Sequence, residues 1–189
     1  MPRVLIIDFY DSFTYNIVST LYEMGIKSEV IGIDQLEGYP DHSIIILGPG
    51  PGRPEDYPEA IQLTKKLLLD KNKFIMGICL GHQMIWQIKG YDLVQSQNPS
   101  HGGQYEFRLP PWDCFDSGDW GEKMTVQRYN SLIIQIERAD PDHLAEGAEL
   151  LMGRFSNGLS YQFHPESVGT LKPQIFFAPL RLRCHQKLE

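Results

Sequence analysis

Cys79 has the residue type and setting of a nucleophile, because it lies between two glycines in the segment GICLG, residues 77–81. The apolar segment before it, 74–78, is predicted to be a buried strand, and 81–89 is predicted to be a helix. Cys79 would then lie in the sharp turn between them. The glycines permit such a turn, a helix N-terminus favours a thiolate, and the N–H of Leu80 can point at an oxyanion. The alternative is a buried cysteine that only packs.

A thiol at neutral pH needs a base, and His164 is the candidate. It lies in the segment QFHPES, residues 162–167, at the end of a predicted apolar strand. Glu166 could accept a hydrogen bond from one ring nitrogen of His164 and leave the other nitrogen facing the thiol. The alternative is a surface turn in which the glutamate is incidental.

The turn GPGPGRP, residues 48–54, directly follows a predicted strand at 43–47. Its glycine spacing does not match a dinucleotide fingerprint, and no Gly-Lys-Ser/Thr sequence follows, so a phosphate site is not indicated. Because proline has no N–H, the free donors in this turn are at Gly50 and Gly52. A rigid turn with an exposed N–H would serve as a second oxyanion donor, although a plain tight turn has the same composition.

The composition narrows the class of protein. The chain has 189 residues, which predicts one domain over 1–189, and a net charge of −7, which argues against nucleic-acid binding. There is no apolar run near the ~20 residues that span a membrane and no recognisable signal peptide, so we expect a cytoplasmic protein. The cysteines and histidines lack disulfide and zinc spacings, so we expect no metal. Whether Leu188 and Glu189 are native residues is left open.

The first half of the sequence predicts alternating strands and helices. Strands are expected at 4–7, 29–31, 43–47 and 74–78, and helices after Asp11 as N-cap, at 58–69 and at 81–89. This order is typical of an α/β protein with an open, mostly parallel twisted sheet and helices on both faces. Ligands bind such sheets beyond the carboxyl ends of the strands, where both the 48–52 turn and Cys79 fall.

The second half predicts a small antiparallel sheet. Short, partly alternating strands are expected at 105–109, 124–129, 150–155 and 159–163, with a loop at 110–121. Pro173 and Pro179 should limit any C-terminal helix to short pieces.

Taken together, the motifs GPGPG, GICLGHQ and FHPES resemble those of the class I (triad-type) glutamine amidotransferases, with their flavodoxin-like architecture. The segments DFYDSFTYN (8–16) and RYNSL (128–132) are similar to the small glutaminase subunit of aminodeoxychorismate and anthranilate synthases. The resemblance covers the chain from about residue 3 to about residue 167.

The resemblance implies a role for each matched residue. Cys79 would attack the side-chain amide carbon of glutamine, His164 would pass the proton to the departing ammonia, and Glu166 would orient His164. The N–H groups of Gly50 and Leu80 would hold the oxyanion, and water would hydrolyse the thioester. The positions that match glutamine-binding residues are Gly50, Pro51, Gly52, Gln83, Ser131 and Leu132.

The resemblance also implies a partner. Ammonia would pass to a larger, chorismate-utilising synthase subunit, and that subunit, rather than this chain, would carry a magnesium ion. Asn130 stands where the family commonly has histidine, which leaves open a catalytically weakened regulatory or scaffold subunit. A general cysteine hydrolase is a third possibility. The sequence does not decide between aminobenzoate (folate) and anthranilate (tryptophan) production.

Overall fold

The computed structural model of the chain describes residues 3–185, with side chains as far as Arg181. Leu188 and Glu189 lie outside the described residues. The first half alternates as the sequence predicts, and the bounds of the helix Pro58–Leu69 and the strand Phe74–Ile78 are those expected. Its elements are β1 (Val4–Asp8), α1 (Thr14–Glu23), β2 (Ser28–Gly32), β3 (Ile44–Leu47), α2 (Pro58–Leu69), β4 (Phe74–Ile78) and α3 (Leu80–Ile88).

The second half adds longer antiparallel strands and a C-terminal helix. Four of its strands correspond to the predicted ones, and one short strand was not predicted. The elements are β5 (Asp92–Arg108), β6 (Lys123–Gln135), β7 (His143–Glu146), β8 (Glu149–Phe155), β9 (Gly158–Tyr161) and α4 (Pro173–His185). The unpredicted strand is β7. The expected loop 110–121 is irregular apart from one short 3-10 turn at Ser117–Asp119.

All nine strands form one sheet in the order β2-β1-β3-β4-β9-β8-β6-β5, with β7 paired to β8. The first five strands in this order are parallel and the others antiparallel. The predicted α/β fold class is therefore confirmed. The antiparallel strands are hydrogen-bonded into the parallel sheet, and the register between β6 and β8 is a single pair, Gln135 with Glu149.

Helices cover both faces of the sheet, which is why the parallel strands are apolar on both sides. Val4 and Ile6 of β1 pack with the core beneath α1 and α4. Leu5 and Ile7 pack with the core beneath α2 and α3. Among the described residues, no helix has the length and apolar character needed to cross a bilayer.

Two sequence predictions about helix ends are wrong. Asp11 is not the N-cap of α1: the cap is Phe13, and the Asp11 carboxylate instead accepts a hydrogen bond from the Phe13 N–H (2.8 Å) in the turn before it. Pro179 does not restrict the C-terminal helix to short pieces, since α4 continues through it to His185. Burial of Phe176, Phe177 and Leu180 in the core offsets the hydrogen bond that Pro179 cannot make.

Candidate active site

Cys79 lies in the turn between β4 and α3, where the sequence places it. Its backbone adopts φ 50° and ψ −100°, a conformation that is unusual for a residue other than glycine. Its N–H donates to the carbonyl of Tyr161 at the end of β9 (2.8 Å), which ties the turn to the neighbouring strand. The thiol is therefore fixed at the carboxyl end of β4, the end of the sheet at which α/β proteins bind ligands.

The two flanking glycines are required by close packing rather than by their own backbone angles. A Cβ on Gly81 would lie 2.2 Å from the carbonyl oxygen of Leu47, and one on Gly77 would lie 2.6 Å from Cδ1 of Ile85. The strained positive φ belongs to Cys79 itself. Because Gly81 also donates its N–H to Gly48 (3.2 Å), α3 begins in direct contact with the turn that follows β3.

His164 and Glu166 form a buried pair next to Cys79. Nδ1 of His164 lies 2.8 Å from Oε1 of Glu166, and the two side chains are 2% and 0% exposed. Nε2 of His164 is buried and makes no hydrogen bond within the described residues. It is therefore the nitrogen left to exchange a proton with the thiol.

The charges around His164 favour its protonated form. Burial lowers the pKa of His164, but the Cys79 thiolate and then the Glu166 carboxylate raise it by more, so that the pKa ends well above its ordinary value. This arrangement favours the imidazolium form of His164 beside the Cys79 sulfur. Such a pair supplies both a nucleophile and a proton for a leaving group.

Two aromatic rings hold the imidazole in place. The Phe13 ring centroid lies 5.1 Å from that of His164, and the Tyr129 ring meets it edge-on at 5.3 Å. The backbone is fixed as well, because the N–H of His164 donates to Gln127 (2.9 Å) and its carbonyl accepts from the Thr170 hydroxyl (2.6 Å). The motif that contains Phe13 thus contributes directly to the orientation of the candidate base.

The structure also brings the two oxyanion candidates together. A Cβ on Gly50 would lie 2.7 Å from Cδ2 of Leu80, so the glycine-rich turn packs directly on the first residue of α3. N–H groups in the first turn of a helix have no intrahelical acceptor. Pro51 and Gly52 are exposed, and the Pro51 carbonyl accepts a hydrogen bond from the Tyr57 hydroxyl (3.1 Å).

Gln83 and Leu132, both expected to bind substrate, contact each other. Nε2 of Gln83 donates to the Leu132 carbonyl (3.1 Å), and Nδ2 of Asn130 donates to the same oxygen (3.0 Å). Ser131, which lies between Asn130 and Leu132 in the chain, is exposed. Asn130 therefore helps to fix the strand segment that is expected to bind glutamine.

Sequence reasoning missed a set of buried polar residues behind this segment. Arg128 donates to Oδ1 of Asn130 (3.3 Å) and forms ion pairs with Glu146 (3.4 Å) and Glu149. Gln162, which is fully buried, was missed as well. One signal was available for Arg128, since it continues the inward-facing, alternating positions of Met124 and Val126 in β6.

His82 anchors the helix that carries the nucleophile turn. Its ring is fully buried between α3 and strands β8 and β9, with Nδ1 2.9 Å from the Ser160 hydroxyl and Nε2 3.1 Å from the Leu150 carbonyl. Ser160 also accepts from the indole N–H of Trp86 (2.8 Å). Burial lowers the pKa of His82 to about 3, so the ring stays neutral in the folded protein.

We expect His82 to make the protein acid-sensitive. In the unfolded chain the ring takes up a proton as the pH falls below about 6.5, whereas the folded protein excludes that proton, so the free energy of unfolding falls by about 2 kcal/mol between pH 6.5 and 5. His164, whose pKa is raised, acts with the opposite sign: it adds stability as the pH falls towards about 6.5 and contributes little further change below that. Because wild type and His82→Gln share this contribution, the difference between the two proteins isolates His82. Urea unfolding of wild type and His82→Gln from pH 7.5 to 5 measures the effect.

The variant should be less stable at pH 7 and should lose less stability on acidification. His143→Gln is the comparison variant: burial also lowers the pKa of His143, but this ring is only half-buried, so its removal should reduce the loss of stability on acidification by less than His82→Gln does. Equal slopes against pH for wild type and His82→Gln would contradict the assignment.

Comparison with known proteins finds one matching family model and relatives that align with most of the chain. The family model described as glutamine amidotransferase class-I matches residues 5–181. Anthranilate synthase component 2 of Helicobacter pylori is 32% identical over 182 residues, covering 90% of this chain and 91% of that protein. Aminodeoxychorismate/anthranilate synthase component 2 of Bacillus subtilis is 33% identical over 181 residues, covering 88% of this chain and 89% of that protein.

Solved structures show the same fold. A glutamine amidotransferase from Thermotoga maritima superimposes with a TM-score of 0.71 at 20% identity, covering 100% of this chain and 86% of that one. A glutamine amidotransferase from Methylobacillus flagellatus gives a TM-score of 0.64 at 15% identity, covering 88% of this chain and 70% of that one.

Proposed function

The chain belongs to the class I glutamine amidotransferases, and we propose that it is the glutaminase subunit of a chorismate-utilising synthase. It hydrolyses L-glutamine to glutamate and ammonia through a cysteinyl thioester. The observation that carries this proposal is the buried pair of His164 and Glu166, joined through Nδ1 at 2.8 Å, beside the turn that holds Cys79.

The proposed reaction has two stages. The Cys79 thiolate attacks the side-chain amide carbon of glutamine, and the N–H groups of Gly50 and Leu80 stabilise the oxyanion. His164 then gives its proton to the amide nitrogen, the carbon–nitrogen bond breaks, and ammonia leaves a thioester. Water, deprotonated by His164, attacks the thioester and releases glutamate, which regenerates the thiolate and the imidazolium. Glu166 holds the ring through Nδ1 during both stages.

We propose that the ammonia passes to a synthase subunit that acts on chorismate. This subunit and the present chain would form a heterodimer. The support is that the relatives of similar length carry the names of component 2 of anthranilate synthase or of aminodeoxychorismate/anthranilate synthase. A protein of Streptomyces pristinaespiralis named aminodeoxychorismate synthase matches 89% of this chain with 24% of its own length. Four further statements stay predictions. They are that the partner carries a magnesium ion, that this chain needs no cofactor, that the chain is one domain, and that it is cytoplasmic.

The alternative of a weakened regulatory subunit rested on Asn130. The described contacts of Asn130 favour an active subunit instead, since its side chain is buried and hydrogen-bonded to Arg128, Leu132 and Glu149. It holds the Leu132 carbonyl in place without carrying a charge of its own. An intact segment for glutamine is what an active glutaminase requires.

The test is glutamate release from glutamine by the purified chain, alone and after copurification with the synthase subunit encoded in the same cell. We expect slow release by the chain alone and an increase of at least about tenfold with the synthase and chorismate, because docking completes and closes such sites. The aromatic product, identified by mass spectrometry, distinguishes aminobenzoate from anthranilate production.

Two outcomes would contradict the proposal. Full activity without the synthase would remove the subunit role, and an absence of glutamate in the intact complex would support the regulatory alternative. A glutamine-analogue alkylator should label Cys79 faster than a peptide-like one does. The reverse preference would favour a general cysteine hydrolase.

A further inference from the structure

The Cys79 sulfur accepts a hydrogen bond from the side-chain amide of Gln162. Its Nε2 donates to Sγ of Cys79 at 3.8 Å, within the range of hydrogen bonds to sulfur. The side chain of Gln162 is fully buried, and its backbone N–H donates to Leu151 (2.8 Å). A buried amide that is held at the reacting sulfur does not serve packing alone.

The direction of this hydrogen bond is set by the groups behind it. The Leu132 carbonyl can only accept, so Gln83 must present its NH₂ group there (3.1 Å). The same NH₂ group donates to Oε1 of Gln162 (3.2 Å). With its oxygen engaged by Gln83, the amide of Gln162 has only its own NH₂ group to present to Cys79.

The far end of this series is fixed in the same way. Asn130 donates to the Leu132 carbonyl and accepts from Arg128, which has donors only. Arg128 is 6% exposed and is held by Glu149 and Glu146. The Arg128–Glu149 ion pair and the Leu132 carbonyl therefore determine which way the side-chain amides point. These amides are those of Asn130, Gln83 and Gln162, and the last of them reaches the Cys79 sulfur.

We propose that Gln162 is a further catalytic residue, whose oriented N–H stabilises the Cys79 thiolate and links the nucleophile to the segment that binds glutamine. This inference rests on the proposed function. In general, a charge-assisted hydrogen bond favours an ionised acceptor by a free energy that corresponds to about one pH unit. A more stable thiolate is a weaker nucleophile, by about threefold for each such unit.

These opposing effects give an experimental signature. We expect Gln162→Met to move the pH of half-maximal alkylation of Cys79 by iodoacetamide up by about one unit. Below that midpoint the variant should react about threefold more slowly than wild type, and on the plateau above it about threefold faster. The two profiles should therefore cross. The rate is followed on the Cys79 peptide by mass spectrometry, using the full chain without a partner.

The controls separate this role from a structural one. Gln162→Met leaves His164 and Glu166 unchanged, so the charged groups beside the Cys79 thiol are the same as in wild type. Gln162→Glu, which is isosteric but carries a charge, should shift the midpoint further. Gln104→Glu adds the same charge at an exposed position of β5 and should shift nothing. A loosened fold would raise the rate at every pH without moving the midpoint.

A further variant tests the orientation of the amide. Gln83→Met releases Oε1 of Gln162 and should produce a smaller shift in the same direction, even if both Gln162 variants fail to fold. An unmoved midpoint in the folded variants would overturn the inference. A moved midpoint in a chain that releases no glutamate with its synthase would confirm the hydrogen bond from Gln162 to the thiolate, but would remove the proposed function and with it the catalytic role of Gln162.

Discussion

Replacing Cys79 by alanine should lower glutamate release by at least about four orders of magnitude in the complex with the synthase, since the residues of a nucleophile–base unit act together. No other thiol with a described side chain can substitute. Cys114 lies near Phe74, at the opposite end of β4. Burial and the neighbouring Asp113 raise the pKa of Cys114 to about 11, so it is protonated at neutral pH. Steady-state glutamate production measures the loss.

Two further variants test whether the loss of activity is specific to Cys79 and the residues that act with it. Glu166→Gln should retain the thiol but lose about two to four orders of magnitude, because the ring of His164 is no longer held and charged by a carboxylate. Cys114→Ser should behave as wild type. Activity of Cys79→Ala within tenfold of wild type, in a protein with a normal melting temperature, would show that the nucleophile is another group.

Replacing Gly81 by alanine should destabilise the protein by about 2–4 kcal/mol and abolish most of its activity. In an exposed helix the same change is stabilising by about 1 kcal/mol, so the expected sign is opposite to that of helix propensity. The reason is that the new Cβ would lie 2.2 Å from the Leu47 carbonyl oxygen and 2.7 Å from Leu47 Cβ. Relief requires α3 to move away from β3, which displaces the turn that holds Cys79.

Urea unfolding gives the change in stability. Gly118→Ala is the matched control: this glycine is exposed, and its added Cβ would make only an ordinary contact of 3.4 Å with Asp116. The control should stay within about 0.5 kcal/mol of wild type. A Gly81→Ala protein as stable as wild type would mean that α3 does not begin in contact with β3 as described.

Local sequence signals were sufficient for the parallel half of the fold. The helix Pro58–Leu69 begins with a proline at its first position, and the strand Phe74–Ile78 is an uninterrupted apolar run, so both bounds can be read from a few residues. The 17-residue strand Asp92–Arg108 could not be predicted in full. It contains Pro99, Gly102 and Gly103, and its register with β6 shifts twice. Pairing along β6 holds it in strand form against its own propensity.

In the candidate site, too, some features follow from local sequence and others depend on contacts between distant residues. The turn at Cys79 and the pairing of His164 with Glu166 follow from spacings of a few residues. The contact of Gln162 with Cys79 joins positions 83 residues apart, and that of Gln83 with Leu132 joins positions 49 apart. Such contacts depend on the order of strands in the sheet, which no local pattern of these residues contains.

The place of β9 in the sheet affects how the protein matures on the ribosome. β9 pairs with β4 on one side and with β8 on the other, although it is the last strand to be synthesised. Until residues 158–161 emerge, β4 is left with an open edge. His164 and Glu166 follow β9 directly in the chain. The nascent polypeptide therefore carries the Cys79 thiol without its base until β9 and the residues after it have been synthesised, and the capacity to cleave an amide arises only when the sheet closes.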